Sequence, residues 1–245
     1  MKKRFLIFST LLIVATAILS VIFSVVYFVA SEVIVAGEGM LTFTYYLKKF
    51  FDLVAVFTGY AIIIYSFARF DTMSGLKSIG VFSISFLISF IYQFFGICFY
   101  QNDFSAEFII STIYYAFGNC FITQILPAFV VAFIAYRITK NGTTKMTKLF
   151  SLKNPIQKTM FFSTLVIFGI NLACLLGFDT FPFLFEADFY ITKSEFWAVL
   201  GSVFEVIIIY LVIEYVIYVL MYLLCDWYHE KYCVKTKKTE IVWKD

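Results

Sequence analysis

The sequence predicts an all-α, polytopic membrane protein in which six transmembrane helices form one bundle and both termini lie in the cytoplasm. Composition, a series of long apolar runs and the placement of basic residues together predict it. Of the 245 residues, 62% are hydrophobic, 22% are aromatic and only 14% are charged. Soluble domains carry about a quarter charged residues, so this chain could not cover a soluble surface. Disorder is excluded because disordered chains are poor in aromatic residues.

Six apolar runs are long enough to cross a membrane. A spanning helix needs about 20 apolar residues, and such runs form helices because lipid satisfies no backbone polar group. Residues 1–245 are therefore expected to form a single transmembrane domain, with spans at about residues 5–30, 51–68, 79–100, 108–136, 160–178 and 196–225. Pro127 removes one backbone hydrogen bond inside the fourth span and frees the carbonyl of Thr123, which predicts a helix kink.

The basic residues indicate the orientation. Most lysines and arginines fall in the N-terminus, the second loop, the fourth loop and the C-terminal tail, whereas the other loops hold only Lys48, Lys49 and Lys193. The positive-inside rule then places both termini in the cytoplasm. The first apolar run exceeds the core of a signal peptide, so we expect it to remain as a helix. We expect an integral protein of a bacterial-type cytoplasmic membrane, with residues 39–50 lying at its outer interface.

The loop at residues 137–159 is the largest single-sign feature, and the tail at residues 226–245 is also basic. Basic residues near an anionic leaflet are attracted to its headgroups, so this loop is predicted to contact lipid or a cytoplasmic partner subunit. Nucleic acid is not expected, because no aromatic residues are interleaved for base stacking. The basic residues of the loop are Arg137, Lys140, Lys145, Lys148, Lys153 and Lys158.

Polar residues inside the spans are the candidate functional residues, since ionisable groups at membrane depth are costly. Glu205 and Glu214 lie in the sixth span, about 13 Å apart along the helix and on opposite faces, so they do not form a paired acid–base site. By depth, the polar side chains fall into two layers. A ligand or ion pathway among spans three to six is predicted, lined by Gln93, Asn119, Asn171 and Glu205 in the outer layer and by Gln124 and Glu214 in the inner layer. Alternatively, these groups only join helices by hydrogen bonds.

Metal and cofactor chemistry is not expected. The chain has one histidine, and Cys225, His229 and Cys233 form a stripe along one helix face. Three residues spread over about 12 Å of helix cannot surround one ion, and zinc takes four ligands. No Walker A loop, HExxH or GxSxG motif is present.

The function predicted from these observations is membrane transport, either as a transporter or as the membrane subunit of one. Length and six-span topology are shared with permease subunits, which is a similarity of shape alone. Two alternatives stay open at this point. One is a structural or assembly protein without transport activity. The other is a carboxylate-dependent membrane enzyme acting on lipid, which the missing nucleophile–base set disfavours.

Overall fold

The computed structural model describes residues 3–33, 37–101, 104–139, 153–174 and 193–233. These residues form seven α-helices, and the described part of the chain contains no strand. In chain order the helices are α1 (Lys3–Phe28), α2 (Glu38–Arg69), α3 (Thr72–Gln101), α4 (Ala106–Cys120), α5 (Leu126–Thr139), α6 (Pro155–Cys174) and α7 (Lys193–Tyr228). Single π-helical turns follow α1, α4 and α7, at Val29–Val33, Phe121–Ile125 and His229–Cys233.

Five of the helical segments are long and apolar enough to cross a membrane: Lys3–Glu32, Glu38–Arg69, Thr72–Gln101, Ala106–Ile138 and Leu211–Cys233. Each of these five segments exposes large hydrophobic side chains, as a lipid-facing surface does. The fifth predicted span falls on α6, whose apolar stretch Pro155–Ile170 is shorter. The membrane character of the chain is thus supported, whereas the count of six spans stays a prediction.

Several helices continue well beyond the apolar runs. The second span was predicted at residues 51–68, with residues 39–50 at the interface, but α2 is one helix from Glu38. Lysines are good helix formers and their long stems pack on apolar neighbours. Lys48 lies 5.3 Å from the ring centre of Tyr27, and Lys49 lies 5.6 Å from that of Tyr45. Residues 226–233, predicted to begin the tail, continue the last helix.

Local sequence explains where the helices begin. The Asp71 carboxylate accepts a hydrogen bond from the Ser74 backbone N–H, 2.5 Å, at the start of α3. The Asn154 side chain likewise accepts the Ile156 N–H, 2.9 Å, before α6, with Pro155 at the first helical position. Both are N-cap arrangements, which satisfy backbone donors that lack a partner within the helix.

Helix α2 lies at the centre of the bundle. It packs against α1, α3, α5 and α7, and residues 57–66 are buried without interruption. A helix that is apolar on all faces is expected in such a position. Close approach of α3 is possible because residue 59 is glycine, whose missing side chain makes room for the ring of Phe82.

Both ends of the described chain lie at one end of the bundle, here called the terminal end. Arg4 Nη1 donates a hydrogen bond to the backbone carbonyl of Tyr232, 3.2 Å, and the rings of Phe8 and Tyr228 stack 3.8 Å apart. The alternating helix directions that the basic residues predict place the two termini together in this way. Which side of the membrane the terminal end faces stays a prediction.

Candidate functional site

A buried polar group, here called the central cluster, consists of Tyr60 of α2, Ser163 of α6, and Glu214 and Tyr218 of α7. It lies beside the π-helical turn Phe121–Ile125. Its first member is Tyr60 of α2, whose hydroxyl donates toward the backbone carbonyls of Gln124, 3.3 Å, and Thr123, 3.4 Å. The carbonyl of Thr123 lacks an α-helical donor because Pro127 has no N–H. The sequence predicts a kink at Pro127, and the structure replaces the regular α-helix there by the π-helical turn Phe121–Ile125.

Glu214 of α7 is the carboxylate of the central cluster. Its side chain is only 5% exposed, and Oε2 has no hydrogen-bond partner among the described residues. The ring centre of Tyr60 lies 6.4 Å from that of Tyr218, which follows Glu214 by one helical turn. The ion pair found among the described residues joins Arg69 to Asp226 and does not include Glu214. Glu214 is therefore a buried carboxylate that no described cation neutralises.

Two further groups complete the central cluster. Ser163 of α6 donates toward the hydroxyl of Tyr218, 3.4 Å, and Phe57 closes the cluster with its ring centre 5.2 Å from that of Tyr218. The side-chain oxygen of Gln124 is buried, and like that of Glu214 it has no hydrogen-bond partner within the described ranges. The two unsatisfied oxygens belong to a carboxylate and an amide, which are ligand types that hard cations prefer.

Both residues of the predicted inner layer, Gln124 and Glu214, are buried, and Tyr60 of α2 reaches the backbone carbonyl of Gln124. A pathway lined by the two side chains stays a prediction. The sequence analysis restricted the pathway to spans three to six and missed Tyr60, because a tyrosine in an apolar run reads as a packing residue. No polar signal in α2 distinguishes Tyr60 from the other aromatic residues of the chain. Only the rotation of α2 toward α5 and α7 identifies it.

Two of the residues predicted for the outer layer, Gln93 and Asn119, form a pair with each other. Asn119 of α4 donates to the side-chain oxygen of Gln93 of α3, 3.0 Å, and this pair is exposed. Such an amide pair joins two helices, which is the role that the alternative interpretation gives these residues. Asn171 and Glu205 lie on α6 and α7, within stretches that are described by their helical backbone. Their pathway role stays a prediction.

The basic loop is described only at its two edges. Arg137 near the end of α5 is exposed, with its guanidinium 5.3 Å from the ring centre of Phe133. Lys153 and Lys158 are exposed before and within the start of α6. These side chains are accessible to headgroups or to a partner. The remaining predicted contact residues, Lys140, Lys145 and Lys148, lie outside the described residues.

A second buried group, here called the end cluster, joins α2 to α7 at the terminal end. Arg69 Nη2 lies 2.7 Å from Asp226 Oδ1, and the Tyr65 hydroxyl donates to the same oxygen, 3.1 Å. The Tyr65 hydroxyl also lies 2.7 Å from Nδ1 of His229, and Arg69 is hydrogen-bonded to Tyr222. The sequence predicts only that His229 shares a helix face with Cys225 and Cys233, and its contact with Tyr65 of α2 was not predicted. The sequence carries one signal for this contact, since Arg69 and Asp226 have opposite charges and each stands at the end of an apolar run.

A third group joins α1, α2 and α3 toward the opposite end. The Ser20 hydroxyl lies 2.5 Å from Asp52 Oδ1, and Tyr92 is hydrogen-bonded to Ser24. Only Glu205 and Glu214 were expected as acids at membrane depth. Asp52 was missed because it lies at the edge of the second predicted span, whereas α2 continues well beyond Asp52 in both directions.

Comparison of the chain with known protein families, with curated proteins and with solved structures gives no match. The function is therefore argued from the geometry of these clusters.

Proposed function

We propose that the chain is an integral membrane transport protein, or the membrane subunit of a transporter, in which Glu214 binds the transported or coupling ion. One observation carries the proposal: Glu214 is buried at the centre of the bundle with a carboxylate oxygen that no described residue satisfies. Ionisable residues inside membrane proteins are rare and costly, and they commonly mark ion or substrate pathways.

The unpaired oxygen of Glu214 would be costly if this residue only joined helices. A carboxylate that only held helices together would use both oxygens, because each buried polar atom left unpaired costs about 1–3 kcal/mol. A charged carboxylate without a counter-ion costs more still. A proton or a small cation at Glu214 removes both penalties. The unsatisfied side-chain oxygen of Gln124 and the hydroxyl of Tyr60 are proposed as further oxygen ligands.

The remaining parts of the pathway extend this proposal. Glu205 and Asn171 are proposed to line its outer half. The exposed basic residues Arg137, Lys153 and Lys158 are proposed to contact anionic headgroups or a cytoplasmic partner subunit. The terminal end of the bundle is proposed to face the cytoplasm of a bacterial-type cell, in line with the positive-inside rule.

The test uses the purified protein in proteoliposomes adsorbed to a solid-supported membrane. Rapid jumps in H⁺, Na⁺ or K⁺ concentration are applied, and the charge displaced on binding is recorded. The proposal expects a charge movement for one of these ions that Glu214→Gln abolishes and Glu214→Asp preserves in part. Absence of any response to all three ions, from protein shown to be folded, contradicts a cation site at Glu214.

A second function is favoured by one specific contact. The exposed pair of Gln93 and Asn119 is the kind of amide pair that joins helices, and an assembly protein would use such bonds without moving a substrate. In that case Asn119→Leu should change which membrane proteins co-purify in mild detergent, while no ion jump displaces charge. A normal set of co-purifying proteins for this variant argues against the assembly role.

A further inference from the structure

We infer that the terminal end of the bundle carries a binding site for a phospholipid with an anionic headgroup. The site, here called the headgroup site, lies where the start of α1 meets the π-helical turn after α7. The lipid phosphate bridges Arg4 and Lys231, and an acyl chain follows the exposed apolar face of α7. The headgroup site is separate from Glu214 and does not depend on the ion proposed there.

Two cations from opposite ends of the described chain meet at Tyr232. Arg4 Nη1 donates a hydrogen bond to the backbone carbonyl of this tyrosine, 3.2 Å, and Lys231 Nζ lies 5.3 Å from the centre of its ring. Arg4 and Lys231 are both exposed. A guanidinium has five N–H donors, so Arg4 keeps donors for a phosphate while it holds the carbonyl.

The charge of the headgroup site is positive. The ion pair found among the described residues uses Asp226 for Arg69, so that carboxylate is already neutralised. Glu230 directly precedes Lys231, and even with this acid counted the two cations leave a net positive charge. Residues 234–239 add three more lysines and no acid to the sequence that follows. Basic residues grouped at the end of a membrane helix attract anionic headgroups.

Aromatic rings hold Lys231 in position at the level of the headgroups. Its Nζ lies 5.0 Å from the ring centre of Trp227, and the rings of Trp227 and Tyr232 are 5.9 Å apart. Tyr232 in turn lies 5.0 Å from Tyr228, which stacks on Phe8 of α1. A continuous row of rings thus joins Lys231 to the first helix. Tryptophan and tyrosine are enriched where a membrane helix meets the headgroups.

An exposed apolar face of α7 leads to the headgroup site and favours a lipid over free phosphate. Its side chains recur every three or four residues, a spacing that places them on one helix face. They are Ile213, Val216, Leu220, Leu223 and Trp227. Because Lys231 Nζ lies over the ring of Trp227, the cation and the apolar face are continuous. An acyl chain covers this face, whereas free phosphate leaves it uncovered.

The experiment is native mass spectrometry of the full chain, freed of lipid in detergent and titrated with phosphatidylglycerol or phosphatidylcholine. The two lipids carry the same acyl chains and differ in headgroup charge. Arg4→Gln and Lys231→Gln each remove one cation from the headgroup site, and Lys231→Arg keeps the charge. The matched control is Lys77→Gln, which removes the same charge from an exposed residue near the start of α3. A further titration adds inorganic phosphate as a competitor.

We expect wild type to bind phosphatidylglycerol more tightly than phosphatidylcholine. Arg4→Gln and Lys231→Gln should each weaken phosphatidylglycerol binding by about fivefold, whereas Lys231→Arg and Lys77→Gln should retain it. If Arg4→Gln fails to fold, Lys231→Gln provides the same test.

Three results would overturn the headgroup site. Equal wild-type affinity for the two lipids means that the headgroup charge is not recognised. An equal loss in Lys77→Gln and Lys231→Gln means that the attraction is diffuse surface charge without a site. Displacement of phosphatidylglycerol by an equal concentration of inorganic phosphate means that the ligand is a soluble phosphate. None of these results bears on ion binding at Glu214, which the charge-movement experiment tests separately.

Discussion

Removal of Asp226 is expected to loosen the terminal end of the bundle. Arg69 and Asp226 join α2 to α7 with their charged atoms 2.7 Å apart, and the side chains are only 16% and 19% exposed. Asp226→Ala takes away the ion partner of Arg69 and also the acceptor of the Tyr65 hydroxyl, 3.1 Å away. Both groups then lose a partner in a site that water barely reaches.

The size of the effect follows from this burial. Breaking a fully buried ion pair from one side costs about 3–5 kcal/mol, whereas an exposed pair contributes about 0–1 kcal/mol. Because each side chain is more than four-fifths buried, we expect Asp226→Ala to lower the free energy of unfolding by about 2–4 kcal/mol. In a chain of this size each kcal/mol shifts the unfolding midpoint by about 2–4 °C. The midpoint should therefore fall by about 4–16 °C.

The assay is thermal unfolding in detergent of wild type, Arg69→Ala, Asp226→Ala and the double variant. If the pair is formed, the double variant loses less stability than the two single variants together, by a coupling of about 0.5–3 kcal/mol. The exchanged pair, Arg69→Asp with Asp226→Arg, should recover part of the loss. Strictly additive single effects would refute the reasoning, since they would mean that the two charges do not interact.

Two further predictions concern helix packing and the start of α3. An added methyl at Gly59 would overlap the ring of Phe82, whereas one at Gly80 meets nothing within 4 Å. Gly59→Ala should therefore lower stability by about 1–3 kcal/mol and Gly80→Ala should not, and equal midpoints would contradict the α2–α3 packing. Hydrogen bonds from the Ser74 backbone N–H and hydroxyl lower the pKa of the Asp71 carboxyl from its ordinary value of 3.8. The stabilisation from this cap is thus present above that value and lost as pH falls below it. An acid titration of the unfolding midpoint should show wild type and Asp71→Ala converging at low pH, and a constant difference would contradict the cap.

The membrane-spanning character of the chain was predictable, because apolar runs and helix formation in lipid follow from the same requirement that backbone polar groups be paired. Helix ends were less predictable. The hydropathy window closed at Phe51, yet α2 begins at Glu38, since lysines near the interface are good helix formers. For the same reason Asp52, at the edge of that predicted span, was not counted among the acids at membrane depth.

The candidate site was predictable only in part. Depth along each span places Gln124 and Glu214 at similar levels, because the rise per residue is fixed, and the structure buries both residues. Helix rotation is set by packing and cannot be read from depth, so the exposed pair of Gln93 and Asn119 was assigned to the same pathway. Tyr60 carries no polar signal in an apolar run, although its hydroxyl reaches the carbonyls that precede Pro127.

The central claim is that Glu214 binds an ion, and the most direct test compares it with a second acid in the same membrane protein. Asp52 is hydrogen-bonded to Ser20 between α1 and α2, so Asp52→Asn keeps an acceptor for that hydroxyl and serves as the matched control. The measurement is the charge displaced by an ion-concentration jump in proteoliposomes that hold each variant. The account predicts that Glu214→Gln abolishes the displaced charge and Asp52→Asn retains it. Equal charge displacement in wild type and Glu214→Gln would contradict it.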